Sequence, residues 1–522
     1  MKKLIYCLLS VFVFATTSCF KDESALGKDF IPDIEIAELR DTSIVSYAGN
    51  VLTINPQLKT TYAEDELSYA WYIYDANKSS TTETGLNGFR TKKISEEKML
   101  SYEVDLPSGT YGIVFEVTAA KYAYSRRATM ELATSTEFSK GFYVLKETAD
   151  KRTDLDLAID GKLNEDILTH TLGAPLEGKP LNLSVVYGQG YIDEETQKMA
   201  YTKALNVFTE KDYRAFRTED LMQIHDRNTI FYDKHSDDEV IYSLQQGSGI
   251  ATFLFTNKGY YGGVACGDMF GMVSESSGKY GFPINSGSSK FAQQIYGGSE
   301  GVVFWNETER ALNWADDGAS ICRDIDYSLP LNMDAATAVC VASGTNYVGY
   351  IETVWFLIEA SGKRCLITFN SSPEVSEVRD IDSELRFAQA DIIAGNALSA
   401  DIIYFVSDNT LWAYNLSGGG EFEIPLPGVQ GTINYITNAY LNVGFFGVST
   451  ENFDNLIVAT SLGENYNLYL FDNMVGGAPQ AAVEPYSGTG TVRCVRFVPS
   501  VQVTLTDLSM AMDVGPLSPW TD

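Results

Sequence analysis

Hydrophobic residues in this chain gather in short unbroken runs parted by polar turns, with little helical striping. Gly301-Val302-Val303-Phe304-Trp305, Thr353-Val354-Trp355-Phe356-Leu357-Ile358, Ile402-Ile403-Tyr404-Phe405-Val406 and Leu456-Ile457-Val458-Ala459-Thr460 are each followed by a turn and a second apolar segment. The turns (Asn306-Glu307-Thr308, Ser361-Gly362, Asp408-Asn409 and Glu464-Asn465) use residue types suited to the tight backbone of a hairpin. Apolar runs of this length predict strands covered on both faces. Their starting points at 302, 354, 402 and 456 lie 52, 48 and 54 residues apart. A repeat of about 40–50 residues with four strands per unit predicts propeller blades. The 373 residues from 150 onward hold about seven of them. One hairpin cannot bury both faces by itself, whereas a ring of stacked blades can. Stacked β-sandwiches are the competing arrangement and would space their strands less regularly. Residues 194–228 fit neither pattern and read as an insertion or a degenerate first blade. Glu194 to Thr209 carries the one helical periodicity outside the leader.

Upstream, strands are predicted at Asn50–Pro56, Leu67–Asp75, Tyr102–Leu106, Tyr111–Ala119 and Ala128–Ala133, with turn residues between them. Close spacing and one tryptophan, Trp71, in an early central strand predict an immunoglobulin-like sandwich with Trp71 in its core. The fold class is therefore all-β: an immunoglobulin- or PKD-like sandwich over residues 34–148, then a β-propeller-like domain over 149–522.

The first 33 residues are an address. Met1-Lys2-Lys3, the apolar stretch Leu4 to Ala15 and Thr16-Thr17-Ser18 form a secretory signal over residues 1–18. Its apolar core of 12 residues is too short for the roughly 20 that a membrane-spanning helix needs. Cys19 follows the small residues and resembles the acylated cysteine of a bacterial lipobox. Two or more acyl chains anchor a protein stably, at about 0.8 kcal/mol per buried methylene. Lys21, Asp22 and Glu23, in the tether 19–33, resemble the acidic export signal of surface lipoproteins of the Bacteroidota.

Cys19-Phe20-Lys21-Asp22, Leu52-Thr53-Ile54-Asn55-Pro56 and Tyr69-Ala70-Trp71-Tyr72 together resemble the PKD-like family of Bacteroidota surface lipoproteins. The resemblance is strongest over residues 19–150. Trp71-Tyr72-Ile73-Tyr74-Asp75 stands where ordinary PKD domains carry Trp-Asp-Phe-Gly-Asp-Gly, which bears on any shared ligand site but not on the sandwich. The resemblance implies a non-catalytic accessory of a SusCD-type uptake system, beside a TonB-dependent transporter and its lid lipoprotein. It also implies an outer-membrane, extracellular location and capture of an oligomeric glycan or peptide. A surface glycoside hydrolase, lyase or peptidase on a propeller is the alternative, and an adhesin a further one.

Charge and chemistry narrow this picture. Removing residues 1–18 takes away two lysines and no acids, so the net charge goes from −31 to −33. A surface this acidic repels nucleic acid and leaves membrane attachment to the lipid. Of the cysteines left for folding, Cys266, Cys322, Cys340, Cys365 and Cys494, none forms a C-x-x-C pair, so neither a disulfide framework nor a zinc knuckle is indicated. Cys340 and Cys494 sit in strand-like segments and read as buried thiols. The three histidines, His170, His225 and His235, belong to no metal motif or serine triad, and His235 reads as a solvated loop residue. Asp154, Asp156 and Asp160 fail the spacing of a calcium loop, and alternation with Leu155, Leu157 and Ile159 favours a strand. Asp237-Asp238 and Asp316-Asp317 read as hydrated turns. No metal, cofactor or catalytic set is predicted. Tyr260 and Tyr261, among the glycines of Lys258-Gly259-Tyr260-Tyr261-Gly262-Gly263, are the candidate ligand-stacking rings.

Overall fold

The computed structural model describes residues 34–45, 50–75, 91–106, 109–193, 197–233, 235–246, 251–264, 278–295, 301–316, 322–348, 351–395, 400–441, 453–472 and 474–499. Cys19, Lys21, Asp22 and Glu23 lie outside the described residues, as do Cys266 and Asp317. The chain divides into a unit ending at Thr134 and a second beginning at Ser135.

The N-terminal unit is built on a five-stranded sheet in the order Thr42–Val45, Tyr124–Ser135, Gly109–Ala119, Leu67–Asp75, Lys92–Ser95. Two antiparallel pairs accompany it, Ile34–Ile36 with Leu58–Thr60 and Val51–Ile54 with Leu100–Glu103. Along the central strand, Tyr111, Ile113, Phe115, Val117 and Ala119 all enter one core, at the period of two that a strand imposes. Trp71 is fully buried with its ring 4.4 Å from that of Phe115, and its Nε1 donates to the Glu97 carbonyl at 3.0 Å. It is a core residue, as the sequence predicts.

Among the described residues, the second unit carries seven four-stranded antiparallel sheets. Call the strands of each A to D from the inside outward. In six sheets the strands follow chain order, and strand A is Pro180–Ile192, Ile241–Gln246, Ala292–Ile295, Val339–Val348, Ile393–Gly395 or Thr432–Leu441 (blades 2 to 7). In blade 1, strands B, C and D are Gly141–Glu147, Thr153–Ile159 and Lys162–Asn164, and strand A is the far C-terminal Thr491–Val498. That pairing runs from Gly141 opposite Val498 to Glu147 opposite Thr491. The innermost strands of neighbouring blades meet, including Thr491–Val498 with both Thr432–Leu441 and Pro180–Ile192, so the ring is closed.

Seven apolar clusters lie in this unit, and each is shared by two successive blades, the last joining blade 7 to blade 1. Consecutive residues of a strand therefore serve different clusters. In blade 5, Val354, Phe356 and Ile358 face blade 4, while Trp355 and Leu357 face blade 6. Both faces being covered is why the sequence runs are unbroken. The hairpins that start the repeat in the sequence are strands B and C of blades 4 to 7.

Two expectations are corrected. Met199–Thr209 is strand B of blade 2 rather than a helix, because burial of Lys203 to Thr209 between neighbouring blades overrides local propensity. The propeller also begins at Gly141, ahead of residue 149, since the strand Gly141–Glu147 pairs with the C-terminal strand and not with the sandwich.

Strand A of each blade has one unpaired edge, and side-chain amides and hydroxyls serve it. Gln246 accepts from the Tyr187 backbone N–H at 2.8 Å and donates to its carbonyl at 3.0 Å, tying blade 3 to blade 2. Gln245 donates to the Ala292 carbonyl (3.0 Å), Gln293 to Ser343 Oγ (2.9 Å) and Arg496 Nε to the Leu183 carbonyl (3.2 Å). Tyr435 Oη accepts from the Val495 N–H at 3.1 Å, across the closing seam.

A buried ionic knot reinforces that seam. Lys146 Nζ, on strand B of blade 1, lies 2.7 Å from Asp156 Oδ1 and 2.8 Å from Asp166 Oδ1, and Tyr466 of blade 7 donates to Asp156 Oδ2 at 2.6 Å. Burial pushes the Asp156 carboxyl up to about 6 against the pull of Lys146 and Tyr466. For Lys146, burial alone lowers the ammonium, but Asp156 and Asp166 outweigh it and hold the group above its ordinary value. With Asp166 still in contact, Lys146 is the partner that stays charged. Asp154 is also buried, and its Oδ1 accepts from the Leu168 N–H at 2.9 Å at the start of the short helix Ile167–Leu172, so these acids are structural. Lys146→Met leaves two acids facing an apolar stem, and its expected cost is about 3–5 kcal/mol. Tyr466→Phe, which strips only one hydrogen bond from Asp156, is expected to cost about 1–3 kcal/mol. Urea denaturation followed by far-UV circular dichroism checks both values and their order.

Candidate functional site

Tyr260 and Tyr261 do not form a stacking platform. They are consecutive residues of strand C of blade 3 and point to opposite faces, Tyr260 into the seam with blade 4 and Tyr261 into the seam with blade 2. Their exposures are 1% and 3%, so neither ring meets solvent. The flanking glycines suggested a loop, but Gly259–Val264 is a strand in which Gly259 allows close approach of the Asn285 carbonyl and Pro283. Tyr261 Oη instead donates to Glu239 Oε1 at 2.8 Å.

His235 and His225 are also structural. His235 is not a solvated loop residue: its ring stacks on Phe231 at 3.3 Å and its Nδ1 lies 2.6 Å from Oε2 of the buried Glu239. His225, on strand D of blade 2, has Nε2 at 2.8 Å from the Gly190 carbonyl, which fixes the proton on Nε2 because a carbonyl only accepts. Burial holds its protonation below the ordinary range, against the opposing hydrogen bond to Gly190. Cys322, Cys340, Cys365 and Cys494 are free thiols. Burial pushes Cys322 up to about 11 and Cys365 up to about 12, which leaves neither as a thiolate nucleophile at neutral pH. No group of three or more His, Cys, Asp or Glu side chains among the described residues is arranged to hold a metal ion.

What the ring does build is a polar cleft of about 460 Å³ between blades 5 and 6. Asn346 comes from strand A of blade 5, Thr353 from B, Thr368 from C, and Ser376, Glu377 and Arg379 from D. Asn370 follows strand C, while Asp401 and Ser417 flank strands B and C of blade 6. All lie toward the end of the ring that carries the A–B and C–D connections. The sequence places them there because each apolar run stops on hydroxyls and amides as its strand leaves the seam.

The lining is pre-ordered by its own hydrogen bonds. Ser376 Oγ donates to the Thr368 carbonyl at 2.9 Å and so receives the Thr368 hydroxyl proton at 3.0 Å. Asn346 Nδ2 donates to the Ile402 carbonyl at 2.8 Å, and its Oδ1 accepts from Trp355 Nε1 at 3.1 Å. The Trp355 indole lies directly over Gly344, where a Cβ would sit 2.4 Å from Cζ2, so only glycine lets the ring reach Asn346. Arg379 grips Glu377 with two nitrogens at 2.9 and 2.7 Å and donates a third bond to the Leu416 carbonyl. Ser417 holds Asp401. Both carboxylates accept hydrogen bonds from the cleft wall, and hydroxyls and amides line the space beside them.

None of these residues stands out in the sequence. A polar residue at the end of an apolar run marks every turn of the chain, and nothing local distinguishes the seam that opens.

The sequence profile of the PKD-like family matches residues 19–180. No curated protein is matched by the whole sequence. Among solved structures, the chain is similar to a quinonprotein alcohol dehydrogenase-like protein from Bacteroides thetaiotaomicron VPI-5482, at 14% identity over 89% of this chain and 99% of that one, with a TM-score of 0.40. A DUF4784 family protein from Bacteroides caccae ATCC 43185 matches at 9% identity over 75% and 95% of the two chains, TM-score 0.31. The WD40 domain of SCAP from fission yeast matches at 10% identity over 62% and 75%, TM-score 0.32. At these scores the assignment of a propeller rests on the strand order and ring closure themselves.

The buried His225 predicts a pH effect. Its folded protonation lies below the ordinary value of about 6.5, so acidification protonates the unfolded chain first. This group's contribution is complete above pH ~6.5 and is lost as pH falls from there towards the folded value. His225→Gln keeps a donor to Gly190 without titrating. The stability difference between wild type and variant, measured by urea melts from pH 7.5 to 5, should move against the wild type.

Proposed function

We propose that this chain is a non-catalytic, lipid-anchored surface lipoprotein that captures an oligomeric nutrient, of polyhydroxylated glycan type, for a TonB-dependent SusCD-type uptake complex. The observation that carries the binding half of this reading is the pre-ordered lining of the blade 5–blade 6 cleft. Sugar hydroxyls each donate and accept, and a wall of alternating Thr, Ser and Asn groups with a bidentate Arg–carboxylate pair matches them without a charged ligand. A peptide ligand would call for apolar pockets, and Leu416 is the one apolar residue among the described lining residues. The bidentate grip of Arg379 on Glu377 supports a binding role for this cleft over hydrolysis, which uses two available carboxylates. The match of residues 19–180 to the PKD-like family supports the address half. In this reading Cys19 is the acylated residue, Lys21-Asp22-Glu23 directs export, and the propeller end that carries the cleft meets the ligand beside the transporter and its lid lipoprotein.

Two experiments test the reading. A glycan array followed by calorimetry should find an oligosaccharide ligand, and Asn370→Ala and Arg379→Ala should each weaken it about tenfold or more, a loss of ~1.4 kcal/mol. Binding that is absent across the array, or unchanged in both variants, counts against the cleft. Intact-mass analysis of the membrane-extracted protein should show two or three acyl chains at Cys19, and Cys19→Ala should release the protein from the membrane fraction. Retention of Cys19→Ala in that fraction would refute the anchor.

A further inference from the structure

A second seam opens on the outer side of the ring. Between blades 3 and 4 lies a cavity of about 410 Å³ whose wall includes Asn285, Glu309, Asn313, Cys322 and Asp324, with Arg323 among its lining residues. Asn313 and Asp324 are directly opposite each other on strands C and D of blade 4 and so share a face. Asn313 Nδ2 donates to Asp324 Oδ1 at 2.7 Å, which fixes the amide so that its carbonyl oxygen is the other atom. Asn313 is 2% exposed and that Oδ1 has no hydrogen-bond partner. Across the seam, Asn285 on strand D of blade 3 repeats the arrangement, with Nδ2 3.5 Å from Cys322 Sγ and a buried, unpartnered Oδ1. Glu309, from the turn between strands B and C of blade 4, supplies a second carboxylate. Arg323 does not neutralise these acids: its guanidinium is spent over the Trp314 ring, 4.4 Å from the centroid, on the opposite face of the strand.

We propose that Asn313 Oδ1, Asn285 Oδ1, Asp324 and Glu309 form a binding site for Ca²⁺ between blades 3 and 4. Two buried carbonyl oxygens left without donors are costly, and a hard cation satisfies both at once. All four donors are oxygens and two are anionic, so a divalent ion leaves the site neutral. Ca²⁺ accepts six to eight oxygens in loose geometry, with water filling the remainder, whereas Mg²⁺ demands a near-ideal octahedron. Side chains from two separate sheets suit the former. Bound here, Ca²⁺ clamps the outer edges of blades 3 and 4, a seam otherwise closed by the cluster around Phe253, Tyr260 and Phe304.

Calorimetric titration of the metal-free full-length chain in detergent tests the site with Ca²⁺ and, separately, Mg²⁺. One Ca²⁺ per chain with a Kd between about 10⁻⁵ and 10⁻³ M is expected, with Mg²⁺ at least tenfold weaker. Asp324→Asn and Glu309→Gln should each weaken Ca²⁺ binding tenfold or more, while Asp65→Asn, an exposed acid of the N-terminal unit, should leave it unchanged. Glu309 sits in an exposed turn, so its variant remains informative if Asp324→Asn folds poorly. No saturable binding, several equivalent weak ions, or a constant unmoved in Glu309→Gln would each overturn the proposal. Equal binding of Mg²⁺ would overturn the assignment to Ca²⁺.

Discussion

The pairing of Thr491–Val498 with Gly141–Glu147 is the contact on which the second unit depends. A seven-bladed ring has no stable open form of equal quality, because each sheet hides its two faces only against two neighbours. Strand A of blade 1 comes from the far end of the chain, so its two flanking seams wait until almost every residue has been placed. The ion pair of Arg493 with Glu147, separated by 346 residues, ties strands A and B of blade 1 together, and the Lys146–Asp156–Tyr466 knot lies on its seam with blade 7. Polar groups there are fixed in place, which makes a mispaired closure costly as well as the correct one specific.

Burial on both faces also explains where polar chemistry can go. Within a seam the apolar positions are all needed for packing, so Gln245 and Gln246 serve the free edges of the innermost strands and Gln293 reaches the Ser343 hydroxyl of the next blade. Hydroxyls and carboxylates collect instead where the blades, twisted as all sheets are, part from one another at strand ends and outer strands. The cleft between blades 5 and 6 and the oxygen-lined cavity between blades 3 and 4 are both of this kind. Each of these openings draws its lining residues from two repeats.

Legibility followed the range of the interactions. Strands B and C of blades 4 to 7 were plain from Val302, Val354, Ile402 and Leu456 onward because a hairpin needs only its own turn. Trp71 was placed in the sandwich core because strand alternation is local. Met199–Thr209 reads as helical in isolation, and its strand state comes from neighbours on both sides. Tyr260 and Tyr261 show the reverse problem: the glycines around them signal close backbone packing as readily as a loop, and only the position of Asn285 and Pro283 distinguishes the two. Thr353, Thr368, Asn370 and Ser376 carry no local mark at all.

By itself the sequence determined the all-β class and the repeat of about 50 residues, since both follow from composition and short-range spacing. Only the tertiary structure decided which strand closes the ring, that the propeller starts at Gly141, and which seams open into polar cavities. Those outcomes turn on pairings hundreds of residues apart and on how two sheets diverge at their edges, and neither leaves a trace in the order of neighbouring residues.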